Sequence, residues 1–313
     1  MLKKIGPLFL ILLLAFILRF YKLAEVPHGM AWDEAAIAYN GFAIFNTRRD
    51  EWLQRLPVSF RSFGDYKAPF AIYQSGFFTQ IFGMNLWAVR LPFALHGILA
   101  VLAIYLLFKE IFYKDKNHKK WALLGAFLLA VSPWHIHYSR IAFESGIALN
   151  LMLWGLYFFF RYLRLEKLPN LLMASLCSIL AIYAYHSSKV TIPLLFIFLF
   201  FKNLNIFKKK SAGLLITIVL SITLLYPFLK DSFLGEGLTR ASSTIFAESY
   251  SALELIKKLL SNTLSYFSLD FLISGKNLGN YRHGDGKFGV IEPISLILII
   301  FYLFFKKNKS KFI

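Results

Sequence analysis

Two adjacent carboxylates, Asp33 and Glu34, follow Trp32 and open a helix-like run from Ala35 to Phe42, in a stretch flanked by long apolar segments. Acids at a helix start cap free N–H groups and are favoured by the dipole. A carboxylate at a membrane surface can equally act as a general base, with its partner tuning it. The readings are compatible. Consecutive residues on a helix of 3.6 per turn point about 100° apart, so the pair faces different surroundings. Further on, Asp65-Tyr66-Lys67 precedes Ala68-Pro69 in an aromatic setting. Lys67 suits either a snorkelling interfacial lysine or a counter-charge at the depth of a lipid phosphate.

Three more clusters carry polar chemistry. The run from Ser132 to Glu144 gathers His135, His137, Arg140 and Glu144 around one turn. Its histidines stand two apart, whereas a helical zinc pair stands at i and i+4. Arg140 and Glu144, four apart, suit an ion pair at a span end or a functional pair facing a polar cavity. A short turn holds His186 and Lys189. Before the last apolar run, Asn280 to Gly286 reads as a structured loop, in which Arg282 and His283 are placed to close over a substrate.

Membrane spans must position these residues. The 313-residue chain is 58% hydrophobic, has a mean hydropathy of +0.57 and is only 17% charged; an ordinary soluble domain is about 25% charged. Apolar runs near the roughly 20 residues needed to cross a bilayer are expected at Ile5–Phe20, Leu86–Phe108, Trp121–His137, Ile141–Phe160, Leu171–Tyr185, Val190–Phe201, Ala212–Leu229 and Ile291–Phe305. The expected fold is an all-α integral membrane protein of about eight transmembrane helices, forming one polytopic domain over residues 1–313. The first external loop covers 24–86 and the last 230–290. Ala68 to Met84, with Pro69, Gln74 and Gln80, reads as an interfacial or re-entrant juxtamembrane helix.

The net charge of +18 sits in clusters between the spans. That is the positive-inside pattern and excludes nucleic acid as a partner. With the N-terminus inside, the inner segments hold eighteen basic and three acidic residues, against seventeen and fourteen elsewhere. Both termini are therefore expected in the cytoplasm and the polar clusters outside. The first apolar run lacks a small-residue cleavage site and reads as a retained span. A single cysteine, Cys177, excludes an intrachain disulfide.

The order Trp-Asp-Glu, then Asp-Tyr-Lys-Ala-Pro, then Val-Arg-Leu-Pro-Phe-Ala-Leu, then Ser-Pro-Trp-His-Ile-His-Tyr-Ser-Arg-Ile-Ala-Phe-Glu resembles the GT-C membrane glycosyltransferases. The nearest group is the bacterial relatives of protein O-mannosyltransferases and lipid A aminoarabinose transferases, over about residues 1 to 200. The resemblance implies a sugar donor on a polyprenyl phosphate and an acceptor hydroxyl on a glycan, lipid or protein. Transfer would occur with inversion on the non-cytoplasmic face of the inner cell membrane. Asp33 falls on the family's catalytic acid position, Lys67 on the lysine of its Lys-Pro-Pro-like motif, and Glu144 near a second acidic position where many members have Asp. A divalent metal is the one cofactor the resemblance leaves open. Asp33 and Glu34 are thus the expected catalytic carboxylates, with Asp65, Lys67, Arg140, Glu144, His186, Lys189, Arg282 and His283 toward the substrate. The rival readings are a transporter of lipid-linked sugars and an inactive relative that still binds the lipid phosphate. Transporters usually set polar residues at the bilayer midplane, unlike this charge pattern.

Overall fold

The computed structural model describes residues 6–234, 250–275, 289–291, 293 and 295–298. Arg282 and His283 lie outside them, as does most of the expected span Ile291–Phe305. The chain forms two compact units, Met1–Val131 with His135–Arg240 and Ser132–Trp134 with Ala241–Ile313.

Prolines start several helices of the first unit, because their fixed φ suits the first turn and their missing N–H is unneeded there. Helix α1 (Pro7–Phe20) begins in this way. Helix α2 (Trp32–Thr47) begins at the acidic pair, where Glu34 takes the Ala31 N–H at 3.2 Å. A hairpin follows, with β1 (Phe60–Ser62) antiparallel to β2 (Asp65–Lys67) and Lys67 opposite Phe60. Its two turn residues, Phe63 and Gly64, both have positive φ (50° and 75°), as a tight two-residue hairpin loop requires. Two residues later Pro69 opens α3 (Pro69–Phe82).

Helices α2 and α3 cross at Gly41 and Gly76, where a Cβ on Gly41 would stand 2.7 Å from the backbone of Gly76 and of Ile72. Only glycine permits that approach.

Helix α4 (Leu86–Ile111) is capped by Asn85, whose side chain accepts the Ala88 N–H. Helices α5 (His118–Val131), α6 (Pro133–Arg140), α7 (Glu144–Leu165), α8 (Leu168–Ala184), α9 (Ser188–Lys202), α10 (Leu204–Lys209) and α11 (Ser211–Leu234) follow. The core gathers Ile37, Ile72, Phe93, Ile147 and Ile182 from α2, α3, α4, α7 and α8. The second unit holds α12 (Ala252–Ser265), capped reciprocally by Ser251 and Glu254. In the same unit, Trp134 donates to the Gly289 carbonyl at 2.7 Å.

Among the described residues, α4, α7 and α11 are long and apolar enough to cross a membrane, and α1 and α8 are shorter apolar helices. Two expected boundaries change. The run Trp121–His137 is broken, since α5 stops at Val131 and Pro133 starts a separate helix. The next helix begins at Glu144 rather than Ile141 and reaches Leu165.

Candidate active site

The two acids at the start of α2 diverge. Glu34 turns inward and is 1% exposed, against Arg90 at 0%. The pair is bidentate, with Nε to Oε1 at 2.8 Å and Nη2 to Oε2 at 2.9 Å. Arg90 also donates to the carbonyls of Leu23, Pro27 and Gly29. Glu34 accepts the Ala142 N–H at 2.9 Å. A buried ion pair persists only when its remaining donors and lone pairs are satisfied, and here these bonds join α2, α4, the α1–α2 linker and the α6–α7 turn. Both Glu34 oxygens are thus occupied by the framework.

Arg140 is also held by the framework. Its guanidinium donates to the carbonyls of Leu18, Tyr21, Lys22 and Val26, which include free carbonyls at the C-terminal end of α1. Burial, then the nearby Arg90 charge, lowers its pKa. Its N–H groups go to these carbonyls rather than to Glu144, because the chain leaves the helix between Arg140 and Glu144.

Asp33 turns the other way, into an ion pair with the Lys67 ammonium. The Lys67 side chain is 6% exposed and that of Asp33 is 23% exposed, so the pair is enclosed on the lysine side and open on the carboxylate side. Lys67 is held there by the hairpin register and the start of α3. Asp65 braces the same strand by accepting the Tyr66 N–H at 2.8 Å. From the α8–α9 turn, His186 Nε2–H donates to the Tyr66 carbonyl at 2.6 Å, one residue from Lys67. Lys189 lies 4.7 Å from the Phe228 ring centre, and buried Glu144 begins α7. Tyr138, Phe143 and Tyr185 form a row of rings at 5.3 and 6.3 Å. Burial, then Tyr185, raises the Tyr138 pKa, which keeps its hydroxyl neutral.

Among the described residues no three His, Cys, Asp or Glu side chains converge. Asp33 and Glu34 are each already held by a cation, so this donor set does not fit a divalent metal.

Sequence reading passed over three buried polar groups. Arg90 is the one Lys or Arg between Leu86 and Phe108, and a lone charge inside a span calls for a partner. Arg19, fully buried, donates to the carbonyls of Ala15, Leu129 and Ala130 and lies 2.7 Å from His135 Nδ1. His96 lies between the amides of Gln74 and Asn150, at 2.9 and 2.7 Å.

This helical frame is that of GT-C glycosyltransferases. The family model for dolichyl-phosphate-mannose-protein mannosyltransferases matches residues 66–229, and the chain belongs to that family. Among solved structures, the apo oligosaccharyltransferase of Archaeoglobus fulgidus is 21% identical, with a TM-score of 0.52, over 72% of this chain and 30% of its own. The archaeal oligosaccharyltransferase AglB from the same organism, in complex with an inhibitory peptide and a dolichol-phosphate, is 19% identical with a TM-score of 0.52, over 96% of this chain and 37% of its own. A complex of the A. fulgidus enzyme with Zn and sulfate is 17% identical with a TM-score of 0.53, over 97% and 39%. The chain thus spans well under half the length of these proteins, and the likeness is one of fold. No curated protein matches the chain's sequence.

Proposed function

We propose that the protein transfers a sugar from a polyprenyl-phosphate donor to an acceptor hydroxyl on a glycan, lipid or protein, with inversion, at the non-cytoplasmic face of the cell membrane. The Asp33–Lys67 pair carries this reading, because it sets a half-open carboxylate against a held ammonium. An ammonium has three N–H donors, so Lys67 can hold a phosphate oxygen while still reaching Asp33. The acceptor proton passes to Asp33 as the new C–O bond forms. The C–O bond to phosphate breaks, its electrons stay on the phosphate, and Lys67 stabilises the growing charge.

An apolar cavity of about 240 Å³, lined in part by Ile182, Ile192, Phe196 and Leu225, begins one turn before His186 and suits a prenyl chain. The test is incubation of the purified protein with a panel of polyprenyl-phosphate sugars, following release of the lipid phosphate. No release from any donor sinks the proposal.

Lys67→Ala is expected to lower turnover about 10²–10³-fold, the usual cost of losing one preorganised electrostatic group. Lys67→Arg should recover only part, since a planar fork does not replace a point charge. Undiminished turnover in Lys67→Ala would remove the residue from the site.

The eight-span arrangement with cytoplasmic termini belongs to the same reading and rests on charge placement. An impermeant thiol reagent applied outside should label a cysteine at Asn46 and spare those at Asn117 and Asn205. The reverse pattern overturns the external site.

A further inference from the structure

The far end of the bundle holds a polar cavity. Arg90 to Glu110 is twenty residues of α4, about 30 Å at 1.5 Å per residue, which matches the hydrocarbon thickness of a bilayer. At that end a cavity of about 440 Å³ is lined by Lys109, Glu110, Tyr113, Tyr157, Arg161 and Arg164, among others. Three cations face one carboxylate. Glu110, 8% exposed, is taken by Arg164 through Nε and through Nη2, the latter at 3.1 Å. Arg161 gives Nη1 to the Tyr157 hydroxyl, and its enclosed Nε has no acceptor. The Lys109 ammonium rests 5.5 Å from the Tyr105 ring centre.

Lysines and arginines at span ends commonly snorkel to water, as exposed Lys114 and Lys116 do here. The cavity cations differ in lining one cavity together around Glu110, with Lys109 and Arg161 only half-exposed; Arg164 lies 5.6 Å from the Tyr113 ring and Arg161 5.7 Å from that of Tyr157. They also leave an enclosed donor unused. A guanidinium fork and an ammonium with spare N–H groups over an aromatic floor match tetrahedral phosphate oxygens.

The geometry points to a phosphate-binding site here, at the membrane face opposite Asp33 and Lys67 and independent of the transfer reaction. Basic pockets between helices at a membrane surface take phospholipid headgroups, and a free phosphate presents the same oxygens.

The test uses the full chain purified in a neutral, phosphate-free detergent. Native mass spectrometry follows retention of phosphatidylglycerol against phosphatidylcholine, and thermal unfolding follows titration with inorganic phosphate. Wild type should retain phosphatidylglycerol selectively, be stabilised by inorganic phosphate, or both. Selective lipid retention alone identifies the headgroup as the source, whereas stabilisation by phosphate identifies the free ion. Arg161→Gln and Lys109→Gln should each weaken the observed binding at least about fivefold, and Arg161→Lys should restore part of it. If Arg161→Gln fails to fold, Lys109→Gln carries the test, because Lys109 contacts only a ring. Lys116→Gln, outside the cavity, should bind like wild type. Binding of neither probe, or equal losses in Lys116→Gln and Arg161→Gln, overturns the site.

Discussion

Asp33→Asn is expected to lower sugar transfer by about 10²–10⁴-fold, the usual contribution of a positioned general base. An acceptor hydroxyl holds its proton too tightly at neutral pH to attack unaided. An amide keeps the shape and hydrogen-bonding reach of the carboxylate but cannot take that proton. The start of α2 is held independently through Glu34 and Arg90, so folding and donor binding should persist. Single-turnover kinetics with a confirmed donor, alongside a binding measurement on the same variant, separates the two effects. Wild-type turnover in Asp33→Asn would take the first loop out of the chemistry. Loss of binding together with turnover would make Asp33 a structural partner of Lys67.

Arg90→Ala should fail differently, with loss of the folded protein. Removing one partner of a buried pair leaves an unpaired charge and costs about 3–5 kcal/mol, and Glu34 offers no route to water at 1% exposure. Three carbonyls, at Leu23, Pro27 and Gly29, lose their donor in the same change. That is a large share of a domain stability of about 5–15 kcal/mol. Thermal unfolding in detergent should show a sharply lowered midpoint or an aggregated product. Glu34→Gln keeps one acceptor and should fall between the two proteins. An unchanged midpoint in Arg90→Ala would mean that the bridge does not hold the linker.

Local features of the fold were legible because their causes are local. Pro69 opens α3, and the apolar runs located most of the described apolar helices to within a few residues. Glu34 and Arg90 are 56 positions apart, and Lys67 and Asp33 are 34 apart. One sequence holds no signal linking such partners, so which acid faces inward had to come from the packing. Arg140 misled because spacing of four implies a pair only on a continuous helix, and the chain leaves the helix after it. The hairpin was missed for a related reason: its strands have three residues each, and Phe-Gly is a weaker turn signal than Asn-Gly.

The hairpin also divides what must stay fixed from what is free to change. Its inner end sets Lys67 against Phe60, which is fully buried, and continues into α3. Its tip, Phe63, is 69% exposed, and Arg61 lies 4.5 Å from the centre of the Trp52 ring beside it. Residues inserted between Ser62 and Asp65 lengthen the tip while leaving the Phe60–Lys67 register in place. A lineage can therefore reshape the exposed tip without disturbing the ammonium beneath it. Variation at the surface and constancy at the core would then fall on separate parts of one small loop.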